Sequence, residues 1–211
     1  MGKSKLIKLI SQIVFFGAIW GIVEASLGYV LHLIPIPISG LIMFPIATFI
    51  LVKAYKATDS RAALIVIGFI AAAIKSIDLL LPGLSIFKTI NPMFSIVLEA
   101  VVVAVAYPAL TGSSRTKQVL TSIGVSVGWR GVFILYMLGQ YLVTGNLAKY
   151  LATPLATINF IVVNGVMSGL IVAGALWIEG RTKSLDVRKW GVQPVYAVIA
   201  LALALGIQYM I

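Results

Sequence analysis

Glu24, Lys75, Asp78, Glu99 and Arg130 are ionisable side chains set inside stretches that are otherwise apolar. A charge at bilayer depth costs roughly 2.5–3.5 kcal/mol on insertion scales. Each of the five therefore needs a countercharge, a water-filled cavity or a ligand. They sit on four different stretches, which points to a polar centre between helices. Three acids face two bases, so with all ionised one carboxylate is left over, a surplus that suits a cation or an amine.

The elements that must position these groups follow from composition. The chain has 211 residues, 61% hydrophobic and only 10% charged, against about 25% charged in a soluble domain. It reads as a single integral membrane domain, an all-α polytopic transmembrane helical bundle. Apolar runs long enough to span cover 11–33, 39–55, 62–81, 92–110, 118–143, 154–178 and 194–211. That makes seven spans, with six plus a hydrophobic C-terminal segment as the rival count. Pro and Gly mark the gaps, as at Pro35, Pro37, Pro82-Gly83 and Thr144-Gly145. Pro45 interrupts the short second run, which is expected to be tilted or broken. The basic stretch before span one reads as the flank of a retained first span and not as a cleaved signal.

The net charge of +10 is explained by where the basic residues fall. Lys3, Lys5 and Lys8 precede span one. Lys53, Lys56 and Arg61 lie at the second gap, Arg115 and Lys117 at the fourth, and Arg181, Lys183, Arg188 and Lys189 at the sixth. The alternate gaps hold only Lys88 and Lys149. The positive-inside rule then places the protein in the cell membrane with the N-terminus cytoplasmic and the C-terminus outside, and no nucleic acid is needed to account for the charge.

With a rise of about 1.5 Å per residue, this topology puts Glu24, Lys75, Asp78, Glu99, Arg130, Asn159 and Asn164 between the midplane and the outer surface. Helical spacing gives them shared faces. Gly17, Gly21, Glu24 and Gly28 form one stripe, and Gly68, Ala71, Ala72, Lys75 and Asp78 another. Ser95 shares a face with Glu99, and Ser122 and Ser126 with Arg130. Gly165, Gly169 and Ala173 give span six a close-packing edge, since small residues let membrane helices approach. Two readings stay open: a ligand site, or a structural network in which Lys75 neutralises Asp78 and Arg130 bridges to Glu24 or Glu99.

Trp20 and Trp129, beside Glu24 and Arg130, are either packing or the wall of a pocket that stacks on a ligand. Trp177 and Trp190 read as inner-interface anchors, and Tyr29, Tyr136 and Tyr141 as outer-half residues. The connections 32–40 and 82–92 are apolar enough to act as lids. His32 is the only histidine, there are no cysteines, and no HxxH, HExxH, P-loop or GxGxxG spacing occurs. No metal or cofactor is expected.

A small, very hydrophobic, basic chain of this kind resembles the S components, the substrate-binding membrane subunits of energy-coupling factor transporters, over roughly spans one to six. The resemblance implies that Gly17-Ala18-Ile19-Trp20-Gly21 docks a transmembrane coupling subunit, with ATPases supplied in trans. It also implies a micronutrient-like small-molecule substrate bound near the outer face by Glu24, Lys75, Asp78, Glu99, Arg130 and Asn159, with Asn164 and Trp129 beside them. The competing classes are an intramembrane enzyme acting on a lipid or prenyl substrate, a channel, and a structural or assembly protein with every charge paired.

Overall fold

The computed structural model describes residues 2–32, 39–112, 114–181 and 193–210. Among them there is no strand. With no water to satisfy a free peptide group in hydrocarbon, helices answer every backbone donor internally. Six helices are long and apolar enough to cross a membrane: α1 (Lys3–Leu31), α2 (Ser39–Thr58), α3 (Arg61–Leu80), α4 (Ile86–Leu110), α5 (Arg115–Thr144) and α6 (Pro154–Arg181). The shorter apolar α7 (Pro194–Met210) follows. This is an all-α helical bundle and a multi-pass membrane protein.

Local chemistry sets the ends. Ser60 caps α3 by accepting from the Ala63 N–H, and Ser114 does the same for Lys117 at the start of α5. Thr153 caps α6 at Ala156, with Pro154 as its first residue. Gly145 ends α5 in the left-handed region at φ 69°, where a side chain would be strained.

Three departures from the sequence reading concern the helices themselves. Pro45 lies inside α2 without breaking it. α4 begins at Ile86 and carries Pro92 within it, so most of the expected 82–92 lid is helix. Two wide π-helical turns also occur, at Glu24–Gly28 in α1 and Asn159–Val163 in α6. The connection around Pro35 and Pro37, Lys183, Arg188, Lys189 and Trp190 lie outside the described residues, as does the side chain of His32.

The packing is a ring. α1 contacts α3, α3 contacts α4, α4 contacts α5, α5 contacts α6, and α6 closes through α2 back to α1, while α2 also touches α4. Glycines set the close seams. A Cβ on Gly17 or Gly21 would collide with Ile70 or Ile74 of α3, and one on Gly68 with Ala100 of α4. The Gly17 and Gly21 stripe therefore lies against another helix within the bundle, α3. On α6, Gly165 and Gly169 press on Val127 and Ile123 of α5.

α7 lies outside the ring, against α1 and α3. Its Ala200 and Ala204 pack with Ala18 and Ile74. Near its end, Gln208 donates to Asp78 near the end of α3. α7 thus runs in the same sense as α3, and its 17 residues extend about 25 Å.

Candidate functional site

Five helices of the ring contribute to one polar layer. Arg130 on α5 is 0% exposed. Its Nη1 donates to the Ser126 carbonyl at 2.8 Å and to the Ser126 hydroxyl at 2.6 Å, and its Nη2 donates to the Gly40 carbonyl of α2 at 2.7 Å. The Ser126 contact follows from i, i+4 spacing. The Gly40 contact is tertiary: a Cβ at Gly40 would stand 3.8–4.0 Å from Trp129, Arg130 and Phe160, at ordinary contact distance from the same cluster.

An aromatic box surrounds the guanidinium. Its carbon lies 4.6 Å from the ring centre of Trp129, 5.8 Å from Phe160 and 5.9 Å from Phe44. Desolvated cation–π contacts of this kind contribute on the order of 2 kcal/mol, which helps offset the cost of burying the charge. The aromatic column continues through Phe133, Tyr136 and Phe94. Tyr150, in the connection before α6, stacks on Phe160 at 4.2 Å. Burial raises its phenol above the ordinary value, while Arg130 and Ser39 act in the opposite direction. Tyr150 therefore belongs to the same cluster.

Glu99 on α4 is 3% exposed. Its Oε1 accepts from the Ser95 hydroxyl at 3.0 Å. It lies within electrostatic reach of Glu24 and of Arg130. Glu24 on α1 is half-buried and accepts from the Trp20 indole N–H at 3.1 Å. The π turn that starts at Glu24 rotates the chain beyond it. Gly28, at its end, lies beside the Glu24 carboxylate and Met43 of α2. Single π turns often occur at functional sites.

The bridge from Arg130 to a carboxylate, one of the two open readings, is not formed. Among the described residues, the ion pairs join Lys75 to Asp78 at 2.9 Å, and Lys53 and Lys56 to Glu179 at 2.7 and 2.6 Å. Instead, Glu99 Oε2, Arg130 Nε and Trp129 Nε1 are buried with no hydrogen-bond partner among the described residues. Buried polar groups are ordinarily satisfied, and each orphan costs roughly 1–3 kcal/mol. Two donors and one acceptor in one layer match a small molecule that carries both an acceptor and a donor.

The structure divides the remaining candidates. Lys75 and Asp78 form their own pair, and Asp78 turns to Gln208 of α7 at the outside of the ring. Lys75 remains in electrostatic reach of Glu24. Asn164 is half-buried and Asn159 is exposed, while Phe160 next to it turns inward. Asn159 is therefore not brought to the Arg130 layer. Tyr136, read as an outer-half residue, stacks on Phe94 and donates to Asn91.

Sequence reasoning missed Gly40, Phe44, Phe160 and Tyr150, whose link to Arg130 is purely tertiary. It also missed Glu179, the anchor of the two lysines at the opposite end of the bundle. An acid directly after the end of one apolar run, with lysines at the end of another, was the available signal. Among the described residues no group of three or more His, Cys, Asp and Glu side chains could hold a metal. No family model, curated protein or solved structure matches the chain.

Proposed function

We propose that this chain is a membrane transport protein of the substrate-capture type, which takes a small micronutrient-like molecule into a polar layer built by Glu24, Glu99 and Arg130. The observation that carries this reading is the unpaired burial of Glu99 and Arg130. A purely structural network would join acid to base, as Lys75 and Asp78 do. These two instead keep polar atoms unfilled in one aromatic-walled layer. The resemblance to S components of energy-coupling factor transporters supports the same reading, with a coupling subunit and ATPases as partners in trans.

The test is binding. Small molecules that co-purify with the protein from native membranes are identified by mass spectrometry, and their affinity is measured in lipid nanodiscs. Glu99→Gln preserves size and removes the charge. It is expected to weaken binding about tenfold or more, equivalent to roughly 1.4 kcal/mol, while the protein still elutes as a folded species. Unchanged affinity in Glu99→Gln and Arg130→Gln together would return these residues to a structural role.

The same reading orients the layer toward the outside, by the positive-inside rule. Cysteines introduced by Lys149→Cys and Lys117→Cys are expected to react with a membrane-impermeant maleimide in intact cells only at position 149. Labelling of 117 alone would invert the protein and place the layer on the cytoplasmic side.

A further inference from the structure

At the end of the bundle where α5 begins and α6 finishes, the two helices part around a groove of about 240 Å³, open on one side. Its floor is apolar, formed by Val119, Leu170 and Ala173. Gly174 also lines it, and a Cβ there would meet no atom within 4 Å. From Leu170 to Trp177 the groove follows α6 for about 10 Å. Leu170 and Trp177 are exposed, so this side faces the surrounding membrane.

The mouth of the groove is cationic. Two guanidinium groups lie near the Trp177 ring, Arg181 at 4.1 Å and Arg115 at 5.8 Å. Among the described residues neither arginine forms an ion pair. Arg115 also occupies the first turn of a 30-residue helix, where the helix dipole favours an anion and disfavours a cation. Gln118, the other polar lining residue, is committed to the Leu110 carbonyl at 2.8 Å. Charge and shape therefore ask for one molecule with an anionic head and an apolar tail.

We propose that the groove is a binding site for one anionic phospholipid. The phosphate sits between the Arg115 and Arg181 guanidinium groups, and an acyl chain runs over Gly174 toward Leu170. Arginine is suited to phosphate because its planar fork donates in two directions. A free anion would use the mouth alone and leave the apolar floor unexplained. This site is separate from the Glu24, Glu99 and Arg130 layer.

Native mass spectrometry of the full chain in mild detergent tests it, with dioleoyl phosphatidylglycerol, dioleoyl phosphatidylcholine and inorganic phosphate as probes. The wild type is expected to retain the glycerol lipid at least fivefold over the choline lipid. Arg115→Gln with Arg181→Gln is expected to abolish that preference. Gly174→Leu, which fills the floor, is expected to lower retention of the glycerol lipid at least fivefold. Both arginines lie at the surface, so the double variant keeps the test decisive if Gly174→Leu folds poorly. Equal retention of the two lipids by the wild type would overturn the proposal, as would an unchanged preference in the arginine variant. Displacement of the glycerol lipid by equimolar inorganic phosphate would reduce the site to an anion contact and overturn it as well.

Discussion

Gly169→Leu is expected to abolish recovery of folded protein, whereas Gly128→Leu, on the neighbouring helix, is expected to leave it intact. At Gly169 a Cβ would stand 2.5 Å from the Ile123 Cα and 2.8 Å from the Ile123 nitrogen and the Ser122 carbonyl. All three are main-chain atoms, so no rotamer change relieves the contact and α5 and α6 must separate. Overpacking a core costs about 1–3 kcal/mol and occasionally more. Against backbone, the upper end or beyond is expected. A Cβ on Gly128 would meet no atom within 4 Å, and Gly128 is exposed. Gel-filtration recovery and melting temperature in detergent read the difference. Equal behaviour of the two variants would mean that α5 and α6 do not meet along this seam.

Glu179→Leu should be the second severe substitution. Glu179 accepts from Lys53 and Lys56, and the Glu179 and Lys53 side chains are only 5% and 9% exposed. Removing one partner of a buried pair leaves an uncompensated charge, at a cost of about 3–5 kcal/mol. Lys56 is 39% exposed and can turn to water, so its share is small. Replacing both buried partners, Lys53→Leu with Glu179→Leu, should recover most of the loss, since well-packed apolar residues often substitute for a buried pair without penalty. Unfolding in graded detergent mixtures would compare the three proteins. A double variant no more stable than the single one would show that the pair is not what joins α2 to α6 at this end.

These two sites differ in how visible they are along the chain. The close-packing edge of α6 is legible because glycines at i and i+4 have few other uses in an apolar helix. The Lys53–Glu179 pair joins residues 126 positions apart, and the two lysines read as loop charges until α6 is laid beside α2. The same divide runs through the candidate layer. The local partners Ser126 for Arg130, Ser95 for Glu99 and Trp20 for Glu24 are all i, i+4 contacts, which helical geometry dictates without knowledge of the fold.

By itself, the sequence determined that this is an all-α membrane bundle, approximately where its helices run and which faces they turn inward. Apolar length, helical period and the cost of burying charge are properties of one segment at a time. Tertiary structure decided which charge meets which. Arg130 took a glycine carbonyl and three aromatic rings where the structural reading had a carboxylate. Asp78 turned out of the ring to α7, and π turns interrupted the regular helix at Glu24–Gly28 and Asn159–Val163. Such choices depend on the order of helices around the ring and on single-residue shifts of register. A wide turn leaves hydrophobicity and spacing unchanged, so the linear pattern carries no trace of it.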